Sequence, residues 1–204
     1  QLTASGRLPG DVAVTALRVV EGFLAGAAPA LVLGLFMGFF PGVRALLLPL
    51  ATAIYTLPKI AIYPLVIVVL GLGEGSKVAI VAISVFFLVL LNTMAGVATI
   101  ERALWDAGRA FGASWPQMLW TVALPGALPV AFAGLKLAMG FGLVVIVGAE
   151  FLGASSGVGS LIWLSYQTFR LEQMYAGLVM VAALGLLFHG ALELLERRLL
   201  PWRA

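Results

Sequence analysis

Long apolar stretches alternate with short polar ones along this chain of 204 residues. Five of the apolar stretches approach the roughly 20 residues that a helix needs to cross a bilayer. Since no polar block is long enough to fold as a second unit, the pattern predicts a single all-α membrane domain over residues 1–204. The predicted spans are residues 16–40, 46–72, 77–99, 126–152 and 173–195.

The first predicted span is rich in small residues. It contains two Gly-x3-Gly spacings, at Gly22 and Gly26 and at Gly34 and Gly38. Such spacing lets helix backbones approach closely where lipid offers no hydrophobic drive for association. The alternative is that glycine is simply common in membrane helices.

The second predicted span contains three prolines, Pro49, Pro58 and Pro64. Because each proline removes a backbone donor and clashes with the preceding turn, a broken or kinked span is predicted. Irregular backbone at membrane depth persists only against protein or a wet cavity. This span is therefore expected to face other helices rather than lipid.

The composition agrees with lipid as the natural solvent of the chain. Hydrophobic residues make up 62% of the sequence and charged residues 10%, against about 25% charged residues in soluble domains. The absence of cysteine excludes disulfides and thiolate metal sites. One histidine and no clustered carboxylates predict that the chain holds no metal, and a net charge of +3 is too small to indicate a nucleic-acid partner.

Residues 101–125 interrupt the apolar pattern and predict two short helices joined by a hinge. Apolar or small residues in the first part recur every three or four positions, which predicts one apolar helix face. This face comprises Leu104, Gly108, Phe111 and Trp115. Gly112 is the predicted hinge, because glycine tolerates conformations that a continuing helix does not offer.

The second short helix is predicted to begin at a capping box, with Ser114 as N-cap and Gln117 at the third helical position. It is expected to run to about Ala123 and to stop at Leu124 and Pro125. A small amphipathic helix of this kind either lies in the lipid interface or enters a groove on a partner. Interfacial helices usually carry several lysines, and this segment has two arginines offset by two acids, so partner docking is favoured.

Polar residues within the spans are energetically expensive and are therefore candidates for a translocation path. They are Lys59, Asn92, Thr93, Lys136 and Glu150. Lys136 either attracts an anionic solute or is a snorkelling or interhelical structural lysine. Glu150 either faces the external mouth or caps the loop that follows it. Asn92 and Thr93 either line the path or bridge helices by hydrogen bonds.

The placement of lysine and arginine predicts the orientation of the chain. If the 100–125 loop is cytoplasmic, six arginines lie inside and three or four cations outside, which obeys the positive-inside rule. The N-terminal end is then outside and the C-terminal end inside. The inner set is Arg44, Arg102, Arg109, Arg197, Arg198 and Arg203, and the outer set is Arg7, Lys77 and Arg170, with Arg18 near the boundary.

The spacing within the polar loop closely resembles the "EAA" loop of ABC-importer permeases, which reads Glu-Ala-Ala, three residues, Gly, nine residues, an aliphatic residue, one residue and Leu-Pro. Here Asp replaces the Glu and Gly the second Ala. The flanking segments 90–97, 134–140, 149–159 and 195–202 extend the likeness to about residues 16–202. Over that range the chain resembles the alkanesulfonate, taurine and nitrate subgroup of binding-protein-dependent permeases. The loop residues that carry the resemblance are Asp106, Ala107, Gly108, Phe111, Gly112, Trp115, Leu124 and Pro125.

The resemblance implies a type I ABC importer permease, a multi-pass protein of the bacterial plasma (inner) membrane with a cytoplasmic C-terminus. It implies a homodimer with two ATP-binding subunits inside the cell and a solute-binding protein outside. The loop would be the coupling helix, seated in a cleft of the ATPase. Members of the subgroup often have one more N-terminal helix, and the first residue, Gln1, suggests that the start of the chain is missing.

The sequence contains no Gly-x4-Gly-Lys-Ser/Thr loop for phosphate. The chain is therefore expected to bind no cofactor and to be no enzyme, with ATP and Mg²⁺ in the partner ATPase. Two alternatives are a membrane scaffold that docks a non-ATPase partner and a secondary transporter, which would show broken helices in both halves. The solute stays open among sulfonates, taurine, nitrate, bicarbonate, thiamine precursors and flavins.

Overall fold

The computed structural model describes residues 7–203, with side chains for 8–202, and every regular element in that range is helical. The all-α prediction is thus confirmed. Residues 1–6, Ala204 and the side chains of Arg7 and Arg203 lie outside the described part. The helices are α1 (Arg7–Phe39), α2 (Pro41–Tyr55), α3 (Lys59–Leu70), α4 (Glu74–Ala98), α5 (Arg102–Ala110), α6 (Trp115–Met118), α7 (Leu124–Phe151), α8 (Val158–Gln167) and α9 (Leu171–Leu199), with a π-helical turn at Leu119–Ala123 and a 3₁₀ turn at Pro201–Arg203.

Four helical runs are long and apolar enough to cross a membrane, and the bent pair α2 and α3 makes a fifth when it is counted as one broken span. The prediction of about five spans is therefore confirmed. The four runs are Leu8–Phe39, Glu74–Ala98, Trp115–Phe151 and Leu171–Leu199. The segment after α7, predicted to lie outside the spans, contains the short helix α8.

The second span is broken between α2 and α3, which meet at a bend of 97°. Pro58 occupies the break, and the ammonium group of Lys59 donates hydrogen bonds to the carbonyls of Ile54, Tyr55 and Leu57 at 2.7, 3.0 and 2.9 Å. Lys59 therefore caps carbonyls that the end of α2 leaves without helical partners.

Only part of this broken span packs against other helices of the same chain. Lys59 and Tyr63 are buried, whereas Leu65, Val68 and Val69 are exposed. The expectation that the whole span faces other helices is wrong within this chain. Because α2 and α3 satisfy most of their own backbone bonds, only the bend itself needs cover from protein.

The core lies where α1, α4 and α7 pack closely through small residues. A Cβ added at Gly26 of α1 would lie 2.3 Å from the carbonyl oxygen of Ala82 in α4, and one at Gly34 would lie 2.8 Å from the Thr93 Cβ. At Gly134 of α7 it would lie 2.4 Å from the Asn92 Cβ. The glycine spacing in α1 therefore serves close helix packing, as the first of the two interpretations predicted.

The helix that follows α5 does not stop at Leu124 and Pro125, so that prediction is wrong. Residues Trp115–Phe151 form one helical run of 37 residues. The Leu124 N–H bonds to the carbonyl of Leu119, which closes the π-helical turn just before Pro125. A proline ring clashes with the carbonyl four residues earlier in a regular α-helix, and the wider turn relieves that contact.

The bundle has two ends. At one end the ring of Phe39, the last residue of α1, lies 5.7 Å from the ring of Trp105 in α5, and we call this the α5 end. At the other end Arg18, near the start of α1, contacts Glu74 at the start of α4 and Glu150 near the end of α7. We call this the Arg18 end.

Candidate functional site

The segment at the α5 end presents three large apolar side chains to the outside of the chain. Leu104, Phe111 and Trp115 are all exposed, Phe111 to 91%. The prediction that these residues and Gly108 form one helix face is wrong. The helix α5 ends at Ala110, before Phe111 and Trp115, and the side of α5 that carries Gly108 packs against Met118. The exposed set instead extends from the helix across the turn that follows it.

The turn after α5 has a defined backbone geometry. Gly112 adopts a φ of +71°, its N–H bonds to the Arg109 carbonyl at 2.9 Å, and the Ala113 N–H bonds to the Gly108 carbonyl at 3.0 Å. This pair of bonds is a Schellman motif, in which glycine is favoured at the left-handed position. The hinge predicted at Gly112 is therefore a tight helix stop.

The next helix starts at the predicted capping box. Both halves of the box are present between Ser114 and Gln117. The Ser114 N–H donates to Gln117 Oε1 at 2.7 Å. Turn chemistry on both sides of Ala113 thus fixes the direction in which Phe111 and Trp115 project.

The segment rests on the bundle through its inner face. The rings of Phe40 and Trp115 lie 5.9 Å apart, and a Cβ added at Gly108 would lie only 2.4 Å from Met118 Sδ. A cavity of about 560 Å³ separates the segment from the ends of α1 and α4, and Arg102 and Arg109 line it. The segment is thus held against the bundle on one side, where Phe40 covers part of Trp115, while Leu104, Phe111 and the rest of Trp115 stay exposed.

The eight residues of the predicted coupling loop fall into two groups. Gly108 is half-buried, and Leu124 and Pro125 are half-buried at the start of α7, where Leu124 packs on an apolar cluster. The other five are exposed on the segment: Asp106, Ala107, Phe111, Gly112 and Trp115. The Asp106 carboxylate lies 3.7 Å from Arg109, and since both side chains are largely exposed this ion pair contributes little stability.

A second polar site lies at the Arg18 end, where the Gly159 N–H donates to Glu150 Oε2 and thereby confirms the alternative that Glu150 caps the segment after it; the residues that surround Glu150 were not predicted. Its centre is Glu150, whose side chain is fully buried and whose Oε1 accepts a hydrogen bond from Arg18 Nη1 at 2.7 Å. Thr15 donates to the same oxygen at 2.9 Å, and Asp11 lies one turn earlier on α1. Arg18 Nη2 also donates to Glu74 Oε1 at 2.6 Å. We call these residues the Arg18 cluster: Asp11, Thr15, Arg18, Glu74 and Glu150.

One signal for this cluster exists in the sequence. Asp11, Thr15 and Arg18 are spaced by four and three residues, which places them on one face of a helix. Polar residues on one face of a membrane helix indicate a partner within the protein. Their partners on α4 and α7 lie far away along the chain, so the pairing itself has no local signature.

The five residues predicted for a translocation path are not brought together. Lys136 forms an ion pair with Glu196 of α9 at 2.5 Å, and the Asn92 amide donates to the Leu88 carbonyl at 2.8 Å within its own helix. Thr93 packs against α1, Lys59 caps α2, and Glu150 lies in the Arg18 cluster. A role for any of them along the path stays a prediction.

Comparison with known proteins identifies relatives over nearly the whole chain. Residues 30–201 match the family model described as "Binding-protein-dependent transport system inner membrane component". The chain is 35% identical to the putative aliphatic sulfonates transport permease protein SsuC of Bacillus subtilis, covering 100% of this chain and 74% of that protein. It is 31% identical to the taurine transport system permease protein TauC of Escherichia coli (94% and 70%) and 27% identical to the nitrate import permease protein NrtB of Synechocystis (90% and 67%).

Solved structures show the same fold at lower identity. The chain superposes on the inward-facing MetNI methionine ABC transporter with a TM-score of 0.74 at 19% identity, covering 92% of this chain and 94% of that one. A second solved structure, of an amino acid ABC transporter with histidines, superposes on the chain at a TM-score of 0.65 and 18% identity. The match covers 97% of this chain and 94% of that one. Together with the family match, these relatives show that the chain belongs to the binding-protein-dependent transport system inner membrane components, and is a permease subunit of an ABC importer.

Proposed function

We propose that this permease acts as a homodimer in a bacterial inner membrane, that its 101–125 segment docks a separate ATPase subunit in the cytoplasm, and that a solute-binding protein delivers solute to the opposite side. Two ATPase subunits then serve two copies of the chain. ATP and Mg²⁺ belong to those subunits, and this chain contributes the path and the docking surface.

The observation that carries the proposal is the exposed apolar set on the segment. Leu104, Phe111 and Trp115 project from a backbone fixed by the Schellman motif and the capping box. Large apolar side chains on a rigid, polar segment fit the mode in which a helix enters a groove of a partner. Burial of such anchors supplies most of the binding energy of an interface.

The charge distribution between the two ends supports a cytoplasmic α5 end. At the Arg18 end, Arg18 and Lys77 are each paired with a carboxylate, so their charge is largely neutralised. At the α5 end, arginines outnumber the acids and several are exposed. An excess of positive charge favours the cytoplasmic side of a membrane protein.

We infer that the solute is a small sulfonate. Support comes from the relatives, two of which are described as permeases for aliphatic sulfonates and for taurine. Within this chain, the ion pair between Lys136 and Glu196 leaves Lys136 without excess charge for a solute anion. Selection of the solute is therefore assigned to the binding protein rather than to a charged site in this chain.

Cross-linking tests the docking surface. The chain contains no cysteine, so single variants carry one reactive site. Ala110→Cys, an exposed position at the end of α5 that leaves Phe111 in place, is compared with Phe169→Cys, which replaces a phenylalanine exposed to 87% on the α8–α9 turn. A thiol-to-amine cross-linker should join Ala110→Cys to the ATPase subunit and leave Phe169→Cys unlinked. Equal cross-linking of both sites would contradict docking at the 101–125 segment.

A further inference from the structure

Three backbone N–H groups at the start of α8 donate to side chains from other helices. The Gly157 N–H donates to Asp11 Oδ1 at 2.8 Å, and the Val158 N–H donates to Thr15 Oγ1 at 2.9 Å. The Gly159 N–H donates to Glu150 Oε2 at 2.8 Å. Since the first N–H groups of a helix have no partner within it, α8 depends on α1 and α7 for its capping.

Two glycines make this contact possible. A Cβ added at Gly157 would lie 2.3 Å from Glu150 Oε1, and one at Gly159 would lie 2.7 Å from the Glu150 Cβ. Gly157 also has a φ of +108°, which side-chain-bearing residues rarely adopt. The backbone of α8 therefore lies directly against the buried carboxylate of Glu150, and the loop cannot move without breaking that contact.

Arg18 ties the same carboxylate to two further parts of the molecule. Its Nη1 donates to Glu150 Oε1 at 2.7 Å and to the Ser156 carbonyl at 2.9 Å, and its Nη2 donates to Glu74 Oε1 at 2.6 Å. Lys77 lies 3.1 Å from the same Glu74 carboxylate. The guanidinium, with a side chain only 3% exposed, thus joins α1, α4, α7 and the loop before α8.

We propose that the Arg18 cluster is a latch that positions α8, so that α8 moves with α1, α4 and α7 as one rigid body during transport. Movement of α8 away from the cluster would break the hydrogen bonds of its first N–H groups and leave the buried carboxylate of Glu150 without one of its donors, which is unfavourable, so the latch resists local opening. Conformational change at this end then occurs between the two copies, by rigid-body rotation. The inference rests on the proposed function, because it needs a nucleotide-driven change between copies.

Distances between spin labels test the inference in the unaltered cluster. Cysteines at Leu17 on α1 and Gln167 at the end of α8, both exposed, report the position of α8 within one chain. Labelled chains are diluted with the cysteine-free chain in the assembled transporter, so that only distances within one chain are read. Labels at Gln167 alone, in both copies, report the distance between copies.

The expected result is an unchanged distance within the chain and a changed distance between copies when ATP replaces the nucleotide-free state. A distance within the chain that shifts with ATP would overturn the latch and leave the proposed function standing. If neither the distance within the chain nor the distance between copies changes with ATP, the result would contradict the proposed function and the inference with it.

Substitutions test whether the cluster itself holds α8. Arg18→Gln should broaden the distance distribution within the chain, and Arg18→Lys, which keeps the charge but loses the forked contact, should broaden it less. Arg197→Gln removes an exposed ion pair with Glu193 at the α5 end and serves as the control. A distribution as narrow in Arg18→Gln as in the parent would overturn the assignment. If Arg18→Gln does not accumulate, the comparison of nucleotide states in the parent chain still decides the inference.

Discussion

Truncation of Phe111 should weaken binding of the ATPase subunit without unfolding the permease. Its side chain is 91% exposed in the single chain, so docking in an apolar groove would remove nearly all of its surface from water. Full burial of a phenylalanine contributes about 1.5–3 kcal/mol. A loss of about 2 kcal/mol corresponds to roughly 30-fold weaker binding, at about 1.4 kcal/mol per tenfold change. Because exposed substitutions change folding stability within about 0.5 kcal/mol, the thermal midpoint of Phe111→Ala should match that of the parent.

In the assay, the purified ATPase subunit is titrated onto the permease in nanodiscs, and the binding affinity is measured by interferometry. Phe169→Ala provides the matched control, since it removes an equally exposed phenylalanine from the turn between α8 and α9. The control should bind the ATPase with parental affinity. Parental affinity of Phe111→Ala itself, with normal folding, would show that this side chain is not an anchor for the ATPase subunit.

Two further predictions concern the packing of the spans. Gly26→Ala should lower the thermal midpoint of the permease, because the new Cβ would lie 2.3 Å from a backbone oxygen of α4; Gly190→Ala, in an open position of α9, should raise it, since Ala favours a helix over Gly by about 1 kcal/mol. Lys136→Met should destabilise the chain by about 1 kcal/mol, because half-buried Glu196 loses this ion pair, and adding Glu196→Gln should restore most of the loss. A raised KM for solute in that double variant would instead place Lys136 on the translocation path.

The spans and the turn chemistry of the 101–125 segment were predictable because their signals are local. Apolar length marks the spans, Pro58 marks the break in the second one, and Gly112 and Ser114 mark the two helix ends on either side of Ala113. Each of these features depends on the residues of one short segment, and at each of them the local backbone preference agrees with the final fold.

The Arg18 cluster and the ion pair of Lys136 were not predictable in the same way. Asp11 and Gly157 are separated by 146 positions, and the contact depends on how the start of α8 packs against α1. The prediction that the helix stops at Pro125 failed for a different reason. A π-helical turn just before Pro125 relieves the steric clash by which a proline normally ends a helix. Local propensity gives the elements, whereas tertiary packing decides which polar groups meet and which stop signals are overridden.

ATP-driven sulfonate uptake by Gly112→Asp in proteoliposomes tests whether the 101–125 segment couples this permease to ATP hydrolysis in a partner. No atom lies within 4 Å of the Cβ position, so the side chain has room, and although a φ of +71° strains any residue with a side chain, aspartate is among those that adopt it at the lowest cost. We expect a folded permease whose uptake is lost because the new side chain obstructs docking, whereas Asp106→Asn, which removes an exposed ion pair worth under about 1 kcal/mol, should retain most of the uptake. Full uptake by Gly112→Asp, with normal ATPase binding, would contradict coupling through the 101–125 segment.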